Sequence, residues 1–444
     1  MADLSINFAG IKAPNPFWLA SAPPTNSGYQ IMKAFDAGWG GAVWKTMGVP
    51  VINVSSRYGG LNYRDTRMSG FNNIELISDR TLADNLREIE EVKKYFPHHA
   101  VIASLMVETR KEWEQIIRDV ENAGADGIEL NFGCPHGMCE RGMGSAVGQE
   151  PEVLETIVGW VMAAAKIPVI TKLTPNISNI EDPGLAAVKG GTSAISLINT
   201  IKSIMGIDLD TFAPYPVVDG KGTNGGYCGP AVKPIAMNMV RQLAQHPQIS
   251  GTPISAIGGI ETWRDVVEYI LLGATSVQVC TSVMHYGFGI VREMERGLRR
   301  FMDERGYQTI YDFTGKALPN ILEWKELNLS YKVVASINPD KCIGCQLCYI
   351  ACEDGAHQAI GLSSDPTNRI PDIIEENCVG CNLCSLVCPV EACITMEKQP
   401  AKAAPVTWEE LTEAGEIPNS FNDPRAGGNG HYVPEPAEAL RKKG

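Results

Sequence analysis

Short apolar runs rich in β-branched residues recur along the first three hundred positions. They fall at residues 17–21, 42–45, 101–106, 127–131, 168–172, 194–199, 253–257 and 276–280. Stretches of helical periodicity lie between them, as at 111–123, 151–165, 234–245 and 262–272. A strand with one wet face alternates apolar and polar residues, whereas a strand covered on both faces reads as a continuous apolar run. These runs are of the second kind. Eight such units in roughly 290 residues predict an α/β chain folded as a (β/α)8 TIM barrel. A doubly wound sheet is the main rival, but no Gly-x-Gly-x-x-Gly follows the first strand. The opening stretch LSINFAGIKAPNPF alternates and breaks at Gly10, which predicts a hairpin across the barrel floor.

The pattern changes after the barrel. The sequence divides into a barrel at 1–310, a connector at 311–333 with a helical turn around 321–327, a small cysteine-rich module at 334–398 and a tail at 399–444. The tail is rich in Pro, Ala, Gly and Glu. Such a composition builds no core, so it is expected to drape over a neighbour or to stay mobile.

Composition narrows the function classes. The 444 residues carry a formal charge of −13, which argues against a nucleic-acid partner, since phosphate contacts need a basic surface. The start MADLSINFAG has neither the basic nor the apolar region of a secretory signal. No window reaches ~18 uninterrupted apolar residues, so no membrane span is expected. Thirteen cysteines, with no pattern of a disulfide framework, point to a reducing compartment and a cytoplasmic location.

Eight of the cysteines form two runs. One is Cys342-x2-Cys345-x2-Cys348-x3-Cys352; the other is Cys378-x2-Cys381-x2-Cys384-x3-Cys388, followed by Pro389. A CxxCxxC arc wraps one face of a cubane cluster, and the fourth cysteine crosses to the other cluster. That logic assigns Cys342, Cys345, Cys348 and Cys388 to one 4Fe–4S cluster, and Cys378, Cys381, Cys384 and Cys352 to a second. Two zinc knuckles are the alternative, but zinc takes two CxxC pairs per tetrahedral site, which does not suit this double run. The segment resembles a bacterial two-cluster ferredoxin, except that Glu353 stands where proline is usual.

Function in a barrel sits on the loops at the C-terminal ends of its strands. Polar residues gather there: Ala20-Ser21, Lys45-Thr46, Asn131 to Gly137, Lys172, Asn199-Thr200, Gly258-Gly259 and Cys280-Thr281. The loops after strands seven and eight are where barrels hold phosphate, and paired glycines let backbone N–H groups approach it. Lys45 and Lys172 lie deeper, where a buried lysine needs an anion. A structural ion pair would serve; so would a reduced flavin ring, which is negative near N1. With a phosphate loop and an electron-carrying module in one chain, FMN is the natural reading. Asn73, Asn131 and Asn199 offer amides that suit a planar ligand with alternating N–H and C=O edges, although each could be a turn residue. Cys134, in a loop with glycines at 137, 142, 144 and 148, is a candidate general acid on a closing lid. An inert buried thiol is the alternative for Cys134, and the reading adopted for Cys139, Cys228, Cys280 and Cys393.

The stretches Asn131-Phe-Gly-Cys134-Pro-His-Gly-Met, Lys172-Leu-Thr-Pro-Asn and Asn73-Ile-Glu-Leu-Ile-Ser, together with the double cysteine run, resemble the dihydropyrimidine dehydrogenases. The barrel alone is similar to the wider dihydroorotate dehydrogenase family. The resemblance implies FMN contacts at Ala20, Ser21, Lys45, Lys172, Gly229, Gly258, Gly259, Cys280 and Thr281, with Thr46 beside them. It implies pyrimidine contacts at Asn73, Asn131, Asn199 and Thr200, and Cys134 as the acid. Gly133 departs from the serine of the animal enzymes. The implied reaction is reduction of the C5–C6 bond of uracil or thymine. NADH would act through a separate NAD- and FAD-binding flavoprotein subunit, in a heterotetramer built on a homodimer of this chain. Two rivals remain: an oxidoreductase acting on dihydroorotate or another cyclic imide, and an electron carrier whose barrel is a docking platform.

Overall fold

The computed structural model describes residues 2–49, 57–63, 66–135, 142–328, 331–365, 368–399 and 413–415. The chain forms two units, Met1–Ile321 and Leu322–Gly444.

In the first unit, eight parallel strands close into a barrel: β1 Phe17–Leu19, β2 Gly41–Met47, β3 Ala100–Leu105, β4 Gly127–Asn131, β5 Val169–Lys172, β6 Ala194–Leu197, β7 Ile254–Ile257 and β8 Ala274–Val279. Strand β6 pairs with β7 and β8 with β1, so no edge is left. Nearly every strand residue is buried, which is why the sequence reads as apolar runs rather than alternation. Helices follow the strands: α1 Gly28–Ala37, α2 Leu82–Tyr95, α3 Arg110–Asn122, α4 Pro151–Ala164, α5 Glu181–Lys189, α6 Lys233–Gln245, α7 Trp263–Leu271 and α8 Val291–Arg305.

Local signals set the helix ends. Thr109 and Glu112 form a reciprocal capping box at α3, and Thr262 and Asp265 form one at α7. Such a cap contributes about 1 kcal/mol. Asp265 and Glu268 also take the Lys233 ammonium, which pins the start of α6 to α7. Helix α8 stops at Gly306, whose φ of +70° suits glycine. The expected hairpin forms from Ile6–Phe8 and Ile11–Ala13. Phe8 meets Trp18 of β1 edge-on at 5.4 Å, and Ile11 packs at Gly127, the first residue of β4. The hairpin therefore closes the N-terminal end of the barrel. Residues 311–321 pack on the barrel as well: Gly315 and Ala317 donate to the carbonyls of Ile270 and Leu271, and Gln245 Nε2 holds those of Leu318 and Ile321.

The sequence reading did not anticipate a four-stranded antiparallel sheet, in the order Ile201–Ser203, Gly225–Cys228, Thr66–Asn73 and Tyr58–Tyr63. It is assembled from the insertions after β2 and β6. Its pairing sets Asn73 against Gly226.

In the second unit, Lys332–Ile337 pairs antiparallel with Ile394–Gln399, and Ile360–Gly361 pairs with Asp372–Ile373. Helices Leu347–Gly355 and Leu383–Val387 begin one residue before the third cysteine of each arc, Cys348 and Cys384. Of the expected tail, residues 400–412 and 416–444 lie outside the described residues.

Candidate active site and cluster cavities

A cleft of about 1130 Å³, reaching to its open mouth, lies at the C-terminal ends of the barrel strands. The flavin, pyrimidine and acid residues expected from the sequence all line it: Ala20 and Ser21 after β1, Lys45 and Thr46 on β2, Asn73 from the added sheet, and Asn131 and Cys134 at the end of β4. Lys172 on β5, Asn199 and Thr200 after β6, Gly229 next to the added sheet, Gly258 and Gly259 after β7, and Cys280 and Thr281 after β8 complete the set.

Both lysines have carboxylate partners that the sequence reading left unnamed. Lys45 Nζ lies 2.5 Å from Glu75 Oε1. Arg57 reaches the same carboxylate at 3.1 Å, and the Tyr58 hydroxyl donates to it at 3.3 Å. Burial, and then the Glu75 charge, push the Tyr58 phenol well above its usual range. Lys172 Nζ lies 3.5 Å from Glu129 Oε1. Glu129 is wholly buried, and its other oxygen accepts from Ser196 Oγ at 2.9 Å and Gln278 Nε2 at 3.0 Å. The visible signal for each carboxylate was an acid inside an apolar run, Asn73-Ile-Glu75-Leu and Gly127-Ile-Glu129-Leu.

The phosphate-side loops show why glycine is needed. Gly258 has φ +134° and Gly259 φ +67°. A Cβ at Gly258 would meet Ala236 Cβ at 2.7 Å, and one at Gly259 would meet Lys233 Cβ at 2.6 Å. The Tyr269 hydroxyl donates to the Gly258 carbonyl at 2.6 Å, and Ser282 Oγ donates to that of Ile260 at 2.7 Å, so the two loops are fixed to one another. The helix Thr281–Tyr286 begins beside them, and first-turn N–H groups have no carbonyl within their own helix. This cradle suits the phosphate of FMN. Gln278 suits its ring: the side chain lines the cleft, and its Oε1 is buried with no hydrogen-bond partner, ready to accept from a ligand N–H.

A hydrogen-bonded chain orients the asparagines. Thr46 Oγ1 lies 2.9 Å from Ser104 Oγ and 3.1 Å from Ser21 Oγ, and it accepts from Asn131 Nδ2 at 2.9 Å. Asn131 Oδ1 then accepts from Asn199 Nδ2 at 2.9 Å and from the Gly133 N–H at 3.2 Å. Asn199 Oδ1 accepts from the Thr200 N–H at 2.8 Å. Asn73 donates to the Gly226 carbonyl at 3.1 Å and accepts from the Glu75 N–H at 3.2 Å. Each amide thus has a fixed flip and retains part of its hydrogen-bonding capacity for a ligand. Gly133 belongs to this packing, because a Cβ there would meet Asn199 Cβ at 2.3 Å.

Cys134 is buried with Ile77, Met106 and Met143. The Ser145 N–H holds its carbonyl at 3.0 Å, and Gly144 with φ +59° packs against it. His136, Gly137 and Cys139 lie outside the described residues. Cys228 accepts from Thr281 Oγ1 at 3.3 Å, and burial pushes its thiol up to about 11; burial pushes Cys280 higher still.

In the second unit the cysteines surround two cavities. One, of about 320 Å³, is lined by Cys342, Cys345, Cys348 and Cys388, with Cys393. The other, of about 350 Å³, is lined by Cys352, Cys378, Cys381 and Cys384. Each cavity takes three sulfurs from one run and the fourth from the other, the crossing that a pair of cubanes requires. No three His, Cys, Asp or Glu side chains among the described residues close on a single-ion site. The sulfurs instead ring two separate cavities, four of the eight run cysteines to each.

Comparison with known proteins agrees with both units. Residues 3–302 match the dihydroorotate dehydrogenase family, and residues 335–396 match the 4Fe-4S dicluster domain. The chain is 45% identical over 359 residues to the NAD-dependent dihydropyrimidine dehydrogenase subunit PreA of Escherichia coli K12, covering 81% of this chain and 87% of that protein. It is 45% identical over 329 residues to the chloroplastic dihydropyrimidine dehydrogenase (NADP(+)) of Arabidopsis thaliana, covering 71% and 77%. It is 36% identical over 323 residues to the catalytic subunit of dihydroorotate dehydrogenase B (NAD(+)) of Pyrococcus abyssi, covering 71% and 99%. FMN and 4Fe–4S clusters are the cofactors of such a chain, which belongs to the dihydroorotate dehydrogenase family and carries a 4Fe–4S dicluster domain after the barrel in sequence.

Proposed function

We propose that this chain is the pyrimidine-reducing subunit of an NAD-dependent dihydropyrimidine dehydrogenase. The observation that carries the reading is the one cleft in which a phosphate cradle, two lysines, three oriented asparagines and a cysteine meet. The 45% identity to the Escherichia coli and Arabidopsis proteins supports the substrate class. The reaction is uracil or thymine to the 5,6-dihydropyrimidine: hydride adds at C6 and a proton at C5, and the C5–C6 double bond is lost. FMN supplies that hydride, and the two clusters supply the electrons that renew it, one at a time.

The protein's own groups do the rest. Gly258, Gly259, Cys280, Thr281 and Gly229 frame the phosphate, with Ala20, Ser21 and Thr46 beside them at the neighbouring strands β1 and β2. Lys45 and Lys172 set the charge around the ring. Asn73, Asn131, Asn199 and Thr200 hold the planar pyrimidine by its polar edge. Cys134 holds the proton destined for C5. Electrons come from NADH through a separate NAD- and FAD-binding flavoprotein subunit; the relative's printed name calls it a subunit, which supports a partner. The assembly is a heterotetramer on a homodimer of this chain. A cytoplasmic location fits thiolate-bound clusters, and no helix among the described residues is long and apolar enough to cross a membrane.

The test is a substrate panel. Anaerobic protein with a reduced low-potential dye as donor should convert uracil and thymine to their dihydro forms. Turnover of dihydroorotate with none of uracil would overturn the reading in favour of the first rival.

A further inference from the structure

The two cluster cavities are built on one repeated backbone, and among the side chains that differ between them one pair stands at equivalent positions with a thiol on one side alone. The cysteines of the runs correspond at a constant offset, and so do the turns around them. Gly344 and Gly380 have φ +65° and +71°, and Gln346 and Asn382 have φ +64° and +69°. The Cys342 N–H donates to the Asn338 carbonyl and the Cys378 N–H to that of Ile374, each at 3.1 Å. The repeat continues past the fourth cysteine. The Asn338 N–H donates to the Cys393 carbonyl and the Ile374 N–H to the Ala359 carbonyl, each at 2.8 Å. Strands Ile394–Gln399 and Ile360–Gly361 then begin at the next residue. Cys393 and Ala359 are thus equivalent positions, 2% and 3% exposed, each lining its own cavity. At this position one cavity has a thiol where the other has a methyl group.

That sulfur is placed to act on a cluster. Cys393 lines the same cavity as Cys342, Cys345, Cys348 and Cys388, all assigned as ligands, and its side chain is buried among them. The acceptor it has within the protein, the Asn338 carbonyl, is 3.8 Å away. A thiol is a weak donor to a neutral carbonyl, and a better one to a ligating thiolate, which carries charge. A reduced cluster carries one more negative charge than an oxidised one, so the bond strengthens on reduction. Hydrogen bonds to the sulfurs are among the factors that set cluster potentials.

We infer that the Cys393 thiol hydrogen-bonds the cluster held by Cys342, Cys345, Cys348 and Cys388 and raises its potential above that of its twin. Cys393 is a tuning residue and ligates no iron. The inference rests on the two cubane ligand sets proposed above. Its effect is to make the two steps of the electron path unequal, so that an electron settles on the Cys393-side cluster first.

The test is an anaerobic redox titration of the full-length holoprotein, followed by electron paramagnetic resonance, with iron and sulfide measured on each sample. Two reduction waves are expected in the parent. Cys393→Ala should shift only the higher wave downward, by about tenfold in the reduction equilibrium, or about 59 mV. Cys393→Ser keeps a donor and should restore most of the shift. Ala359→Cys adds the missing thiol to the other cavity and should raise only the lower wave. Cys393→Ala with full iron content and both waves unmoved overturns the inference, as does Ala359→Cys moving the same wave as Cys393→Ala. If Cys393→Ala loses iron, the other two variants still decide: a Ser variant unlike the parent together with an Ala359→Cys variant that leaves both waves in place also overturns it. A parent with far fewer than eight irons would instead count against the ligand sets themselves.

Discussion

Lys172 Nζ stands 3.5 Å from Glu129 Oε1, and both side chains are shut off from solvent. Among the described residues, that oxygen accepts no hydrogen bond. The attraction is therefore electrostatic, and the ammonium keeps its donors for the cleft. Lys45 differs, since its ammonium is committed to Glu75 at 2.5 Å. Removing one member of a buried pair strands the other charge, at a cost of about 3–5 kcal/mol. Lys172→Met should lose about that much stability in urea unfolding of the barrel. The double variant Lys172→Met/Glu129→Gln should recover a good part of it, because no lone carboxylate remains. A double variant as unstable as the single one would show that packing, and not charge, dominates here.

The phosphate cradle gives a second expectation. Gly259 holds φ +67° and has no room for a Cβ against Lys233. Gly259→Val forces both a strained backbone and a displaced α6 start. FMN retained after desalting should fall at least about tenfold in affinity terms, while the iron content of the second unit stays at the parent value. Flavin absorbance and iron analysis on the same sample decide the matter. Loss of iron in step with flavin would point to general misfolding.

How much of this was legible in the sequence follows from the physics of each part. Parallel strands buried on both faces leave continuous apolar runs, so β4 was readable to its last residue, Asn131, where the chemistry begins. The cluster ligands were readable because their geometry is local and set by spacing. The sheet built from Tyr58–Tyr63, Thr66–Asn73, Ile201–Ser203 and Gly225–Cys228 was not. Three of its four strands mix Gly, Asn or Tyr without a period, and its central pairing, Gly225–Cys228 with Thr66–Asn73, joins segments far apart in the chain. Glu75 and Glu129 were missed for a related reason: a buried acid is visible in sequence, but which lysine it serves is decided by folding. Cys393 was read as an inert thiol because nothing in a linear spacing says that its sulfur faces a cavity ringed by the other run's cysteines.

The partner reading predicts a division of labour. The chain by itself should reduce uracil when a low-potential dye supplies electrons, yet oxidise NADH at a negligible rate. Adding the flavoprotein subunit should restore NADH-driven turnover. Brisk NADH–uracil turnover by this chain alone would remove the need for a partner.

Cys134 carries the last expectation. Its carbonyl is tied to the Ser145 N–H, and its side chain packs with Ile77, Met106 and Met143 beside the asparagine row. A thiol is acidic enough to give up a proton and regain it near neutral pH, and hydrophobic packing fixes where that proton sits. Cys134→Ala removes the proton and leaves the FMN cradle and both cysteine cavities untouched. Pyrimidine reduction should fall by the roughly 10²–10⁴ typical of losing a general acid, with flavin and iron content at parent levels. Cys134→Ser preserves the shape but binds its proton more tightly, so it should be slow, with its optimum moved in pH. Electron flow from NADH through the partner to a dye should be unchanged in both variants, because that path uses no proton from Cys134. Uracil reduction by Cys134→Ala within a few-fold of the parent would assign the proton to another group, and His136 would be the next side chain to change.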